Sequence, residues 1–99
     1  MLKTKLSLVL ATHNNEKTLG RVLDALPISE GIQIVLLDDG STDRTWEIAL
    51  DWWKKHDLED SGSVIHRWSE KKGYFAIAEL GEELARGDDI LFFYGDTSP

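Results

Sequence analysis

Ile32-Gln33-Ile34-Val35-Leu36-Leu37 runs without a break into Asp38-Asp39-Gly40-Ser41-Thr42-Asp43, and that junction decides the fold. The first six residues are a short, almost continuous apolar run, the pattern of a strand covered on both faces. The next six are dense in side chains that close turns and cap helices. A helix follows, with Trp46, Ala49, Leu50 and Trp53 in one stripe that Ile48 and Trp52 widen. Upstream the same sequence of events occurs once before. Leu6 to Ala11 is an apolar strand, Thr12-His13-Asn14-Asn15 supplies turn and N-cap chemistry, and Leu19, Val22, Leu23 and Leu26 fall on one helical face before Pro27 stops the run.

Downstream, Asp57 to Ser63 is a polar surface connection and Val64-Ile65-His66-Arg67-Trp68 a shorter third strand. Gly73 precedes a third helix with Ile77, Leu80 and Leu84 in register, and Gly81 on the same face lets that helix sit close to a sheet. Gly87 suits the left-handed position that ends many helices. Ile90-Leu91-Phe92-Phe93-Tyr94 is the last strand, apolar throughout, as a strand covered on both faces reads. Four strands alternating with three helices argue an α/β fold with a mainly parallel sheet and right-handed crossovers. In open sheets of this kind ligands bind beyond the carboxyl ends of the strands, which here carry Thr12-His13-Asn14, Asp38-Asp39-Gly40-Ser41 and Gly95-Asp96-Thr97.

Composition narrows the function. Ninety-nine residues with 41% apolar and 29% charged side chains make a single globular domain, residues 1–99. Eighteen acids against eleven lysines and arginines leave a net charge of −7, so no general attraction for phosphate backbones exists and nucleic acid is not an expected partner. Cysteine is absent, which removes disulfides, thiolate catalysis and Cys-ligated zinc. The longest apolar runs are five or six residues, far short of the roughly 20 that cross a bilayer. Lys3 and Lys5 before Leu6–Ala11 imitate a signal peptide, but the apolar core is too short and no Ala-x-Ala site follows, so the expected compartment is cytoplasmic. The glycines at 20, 31, 40, 62, 73, 81, 87 and 95 form neither a Gly-x-Gly-x-x-Gly fingerprint nor a P-loop. Asp38 and Asp39 are adjacent and point different ways, unlike the aspartates of a haloacid-dehalogenase-like loop, and they follow the second strand, unlike the acid pair of a receiver domain.

The loop Leu37-Asp38-Asp39-Gly40-Ser41-Thr42-Asp43, about 25 residues after Ala11-Thr12-His13-Asn14-Asn15, resembles the start of family 2 glycosyltransferases. Lys71-Lys72-Gly73, Gly81 and Ala85-Arg86-Gly87-Asp88 are similar to that family's third region. The resemblance spans nearly all of this chain and the first half of a family enzyme. It implies a three-layer α/β/α, Rossmann-like half of a GT-A fold with strand order 3-2-1-4, and a UDP- or GDP-linked sugar as the bound donor. By the same resemblance the nucleotide-binding residues are Thr12, His13, Asn14, Asp38, Asp39 and Lys72, with Asp39 and Thr12 lining the nucleoside pocket. A carboxylate fixed at a strand end suits the ring N–H of uracil or guanine. Each has a plainer reading: Asp38, Ser41 and above all Asp43 close the turn and cap the second helix, His13 is a loop histidine, and the lysines are a surface pair. Trp46 and Trp53 read as core; Trp52, at the stripe's margin, and Trp68 read as partly buried packing, with stacking on a sugar the alternative.

The family's metal-binding Asp-x-Asp aligns with Tyr94-Gly95-Asp96, so its first carboxylate is missing. Asp96 is left as the metal candidate for Mg²⁺ or Mn²⁺, or else as a solvated acid. The family's third-helix Arg aligns with Ala78 and a neighbouring Asn with Glu79, for which Lys71 and Lys72 offer compensating charge. Three residues follow Asp96, and no residue presents itself as the catalytic base. The expectation is therefore a donor-nucleotide half-domain, a fragment or a reduced relative, that does not transfer sugar unaided. The alternative is a non-catalytic α/β binding or assembly module. If the fourth strand pairs with the first, its apolar outer edge is open, which predicts a two-fold homodimer with fourth strands antiparallel.

Overall fold

The two apolar runs that open the chain become neighbouring strands because neither can be left in water on either face. A computed structural model describes residues 3–58 and 61–94. The elements run β1 (Leu6–Thr12), α1 (Leu19–Asp24), β2 (Ile32–Asp39), α2 (Thr45–His56), β3 (Val64–Trp68), α3 (Tyr74–Leu84) and β4 (Asp89–Tyr94). The four strands form one sheet in the order β3-β2-β1-β4, with every pairing parallel. In-register pairs include Leu8 with Ile34, Thr12 with Asp38 and Ala11 with Tyr94.

Strand alternation then builds two cores, one on each face of the sheet. Leu8, Leu10, Ile34 and Leu36 point to the α1 and α2 side, where they meet Leu19, Leu23, Ala49, Trp52 and Trp53. Val9, Ala11, Val35 and Leu37 point to the α3 side and meet Ile77. Helix α3 approaches closely because Gly81 has no side chain: a Cβ there would lie 2.8 Å from Phe92 Cε1 and 3.0 Å from Val9 Cγ1.

Two buried polar residues organise the amino end of the sheet. Ser7 and Gln33, each 0% exposed, join through a 2.6 Å hydrogen bond from the serine hydroxyl. Gln33 Nε2 donates to the carbonyls of Gly62 (2.9 Å) and Leu84 (3.0 Å), while its Oε1 accepts Arg86 N–H (2.8 Å). Ser7 Oγ accepts Gly87 N–H at 2.8 Å and Arg86 N–H at 3.2 Å. The α2–β3 and α3–β4 connections are thereby tied to the two central strands.

Several expectations need correction. Strand β2 continues through Asp38, which pairs with both β1 and β3, and Asp39, which pairs with β3. Helix α1 stops at Asp24, two residues before the end of its apolar stripe. In α2 the buried face carries Thr45, Ala49, Trp52 and Trp53, so Trp52 is core and Trp46 only half-buried. Thr45 turns inward because its hydroxyl bonds Asp43 and accepts Asn15 N–H at 2.7 Å, which rotates Trp46 toward the surface. Gly87 is not left-handed; among the described residues the positive-φ glycines are 31, 40, 62 and 73. Its constraint is proximity, since a Cβ would lie 2.6 Å from Ser7 N and 2.7 Å from Leu6 C. Finally, β4 is not covered on both faces: Ile90, Leu91, Phe92 and Phe93 are all exposed, Leu91 most at 49%. It occupies an edge of the sheet, and the helices pack chiefly over the central strands.

Candidate functional site

The loops after β1 and β2 hold each other in place, and asparagines do most of the work. Asn14 adopts φ +49°, a left-handed conformation that asparagine tolerates better than most residues. From there its backbone N–H donates to Ser41 Oγ (2.9 Å), and its Oδ1 accepts the N–H groups of Thr42 (2.8 Å) and Asp43 (3.3 Å). Asn15 Oδ1 accepts both the Thr12 hydroxyl (2.7 Å) and His13 N–H (2.8 Å). The His13 ring donates from Nδ1 to the Asp39 carbonyl at 2.6 Å, which leaves Nε2 as an acceptor facing the Asn14 amide at 3.3 Å.

The adjacent acids part company here, as neighbours on a strand must. Asp38, 1% exposed, faces the α1 and α2 layer. Its carboxylate accepts the Ser41 hydroxyl and backbone N–H, and Arg67 Nε lies 3.6 Å away with its guanidinium 5.4 Å above the Trp46 ring. Burial pushes the Asp38 carboxyl above its usual range, against the pull of Ser41, Arg67 and His13. Asp39, 2% exposed, faces the α3 layer, where its two oxygens accept Lys72 N–H (2.6 Å) and Gly73 N–H (3.1 Å). A strand carboxylate thus fixes the start of α3. Arg44 stands at the N-cap of α2 without a side-chain cap bond, and Asp43, one residue earlier, accepts the first helical N–H, that of Thr45, at 2.9 Å.

Above the α3 face of the sheet these elements enclose a cleft of about 270 Å³. Its base is the small side chain of Ala11; Thr12, His13 and Asn15 form one wall with Asp39 beside them. Lys71, Gly73, Tyr74 and Ile77 form the opposite wall, and Tyr94 closes the β4 side. The rings of Tyr74 and Tyr94 stack with centroids 5.9 Å apart and planes 23° from parallel. A larger hollow, about 520 Å³, lies at the amino end of the sheet beside Ile28, Gly31 and Arg86. The carboxyl-end cleft is the better candidate because convergent side-chain donors and acceptors meet there.

Of the residues expected at the site, Thr12, His13 and Asp39 line this cleft. Asn14 and Asp38 stand behind it and hold the loops. Lys72 contributes its backbone N–H to Asp39, and its ammonium lies 3.2 Å from Glu70; Lys71 is the lysine on the cleft wall. Asp96 lies outside the described residues. Asn15, Tyr74 and Ile77 were not legible as site residues. Tyr74 directly follows Gly73 at a helix start, the one sequence signal that could have marked it.

A divalent ion at the end of β4 would need carboxylates there. The described residues supply Tyr94 instead, packed on Tyr74. Among the described residues no three His, Asp or Glu side chains gather as a metal site. The described residues alone do not supply a carboxylate-held ion, and Asp96 lies outside them. No described helix is long and apolar enough to cross a membrane.

Comparison with known proteins agrees with this architecture. In Bacillus subtilis (strain 168), EpsH, whose name assigns it provisionally to the glycosyltransferases, is 33% identical over 92 residues, covering 91% of this chain and 25% of EpsH. Among solved structures, S. aureus TarS superimposes with a TM-score of 0.69 at 23% identity, over 93% of this chain and 16% of TarS. The mannosyltransferase PcManGT from Pyrobaculum calidifontis, solved with GDP-Man and Mn²⁺, gives 0.72 at 18% identity, over 97% of this chain and 28% of that one. Residues 1–349 of TarS, solved with UDP, give 0.65 at 22% identity, over 93% of this chain and 27% of that one. The chain spans about a quarter of the length of its curated relative. With the profile of glycosyl transferase family 2 matching residues 7–99, the chain belongs to that family.

Proposed function

We propose that residues 1–99 form a single donor-nucleotide domain, binding a UDP- or GDP-linked sugar in the carboxyl-end cleft for glycosyl transfer. The observation that carries this is Asp39: a buried carboxylate, immobilised by two backbone N–H groups, that still lines the cleft. Each carboxylate oxygen has a second lone pair, so Asp39 can accept a nucleobase N–H without releasing α3. Thr12 and His13 flank the nucleoside, while Asn14, Asp38 and Lys72 fix the loops around it. Lys71 lies where a charged phosphate would approach. The neighbours solved with UDP and with GDP-Man support the substrate class.

The competing reading, a non-catalytic module, draws on the same bonds, since Asp39 would then serve only as the cap of α3. Calorimetry separates the two. Weak binding of UDP or GDP is expected, reduced at least about tenfold by His13→Ala and by Asp39→Asn. Circular dichroism must show that Asp39→Asn remains folded. Absence of heat for every nucleoside diphosphate at high concentration would reject the donor site. The isolated 99-residue chain should transfer no sugar, as mass spectrometry of acceptor mixtures would register.

The reading places the domain in the cytoplasm, where activated sugars are available. It also assigns the exposed β4 edge to a second copy, strand against antiparallel strand. Sedimentation equilibrium tests this: a single 11.2 kDa species at high concentration, unchanged by Phe93→Lys, would refute the dimer.

A further inference from the structure

We infer that the cleft holds the diphosphate of its ligand without a divalent cation, Lys71 and the Tyr74–Tyr94 pair standing where an ion and its carboxylates would be. The inference rests on the donor-nucleotide reading above.

The argument begins with charge. A diphosphate needs positive charge or strong donors nearby, and a strand end carrying carboxylates can provide this only through a metal ion. Among the described residues the end of β4 carries a neutral side chain, Tyr94, where the first carboxylate of an Asp-x-Asp would stand; Asp96 lies outside the described residues. Tyr94 pairs in register with Ala11, on the sheet face that forms the cleft. Its ring stacks on Tyr74 at 5.9 Å, so the place is filled by an aromatic surface with phenol groups, which are hydrogen-bond donors. Asp39, the carboxylate lining the cleft, accepts backbone N–H groups on both oxygens and faces the ligand as an acceptor for a base.

Positive charge comes from the opposite wall. Lys71 lines the cleft, and α3, an 11-residue helix, begins there with Gly73 and Tyr74, presenting its positive end. Across the sheet, Asp39 on β2 and Tyr94 on β4 are separated by β1, two strand spacings or about 9.6 Å. A base over Ala11 with its edge on Asp39 therefore brings its pentose and phosphates toward the tyrosines and Lys71.

The test uses the 99-residue chain with UDP and with uridine, each titrated in Mn²⁺ and in EDTA. UDP should bind more tightly than uridine and equally well in both buffers. Lys71→Ala should weaken UDP about tenfold and leave uridine unchanged. Tyr94→Asp should convert UDP binding into a Mn²⁺-dependent event. A rise of about tenfold or more in wild-type UDP affinity with Mn²⁺ would overturn the inference, as would indifference to Lys71→Ala or a Tyr94→Asp chain that ignores Mn²⁺. Uridine binding with UDP no tighter would overturn it while leaving the nucleoside site standing. Failure of both ligands to bind wild type would overturn it together with the donor reading.

Discussion

Replacing Gln33 by leucine, a residue of similar volume, tests whether the polar node at the amino end of the sheet is a structural necessity. Gln33 is fully buried, and both amide hydrogens and both faces of its carbonyl are used. The substitution leaves the Leu84 carbonyl and the Ser7 hydroxyl hydrogen without their partners, at about 1–3 kcal/mol each. The Gly62 carbonyl loses its partner as well. Arg86 N–H keeps a longer bond to Ser7. Leucine returns about 1–2 kcal/mol through apolar burial. At the middle of these ranges the net loss is about 2.5 kcal/mol, which corresponds to a Tm about 10–20 °C below wild type. Urea unfolding followed by tryptophan fluorescence suits the measurement, because Trp52 and Trp53 sit in the core. Ser7→Ala and the double variant complete a cycle in which the double should cost less than the sum of the singles by about 0.5–3 kcal/mol. Wild-type stability in Gln33→Leu, or strict additivity in the cycle, would show that the bonds do not act as a unit.

Gly40→Ala should cost about 3 kcal/mol or more, read as a shift of the urea midpoint: φ is +67°, and a Cβ would lie 2.4 Å from Glu70 C and Lys71 N, both backbone atoms. Asp43→Ala should lose about 1 kcal/mol of helix capping at neutral pH. Although desolvation, the largest single influence, raises its carboxyl, the bonds from Thr45 and Glu16 together lower it on balance, so its stabilisation is present above the ordinary carboxylate range and fades as pH falls through it. The difference from wild type should therefore close in acid. Asp38 has the opposite sign: burial raises its carboxyl, so its proton-linked stabilisation exists at low pH and is lost as pH rises. Asp38→Asn should remove that component from the pH–stability profile.

What the sequence makes legible here follows from how each signal is carried. The apolar runs at Leu6–Ala11 and Ile32–Leu37 and the glycine at 81 report burial directly, and strands, layers and the close helix contact follow from them. Thr45 defeats the pattern because it is counted as polar while its hydroxyl is satisfied by Asp43, two residues back, and by Asn15 in the β1–α1 loop. Asp38 and Asp39 seem to end β2 for the same reason: their partners, Arg67, Ser41 and the Lys72 and Gly73 amides, are assembled only by folding. Ser7 and Gln33 are read simply as parts of their strands, since neither reveals that the other lies beside it across 26 residues. At the site the acid loop is visible from composition and spacing, whereas the Tyr74–Tyr94 stack depends on α3 crossing the edge of β4 and has no local signature.

The opposed directions of Asp38 and Asp39 also set the phase of the central strand. Ile32–Leu37 is apolar at every position but Gln33, so hydrophobic burial alone scarcely distinguishes its two faces. A slip of one residue against β1 would turn every side chain to the other layer. Asp38 would then meet the start of α3 without Ser41 or Arg67, and Asp39 would enter the tryptophan-lined layer without its amides. Two buried charges would lose their partners together, and separating a buried charge from its partner costs about 3–5 kcal/mol. The same acids that make the cleft polar therefore let a strand with almost no facial preference settle in one alignment.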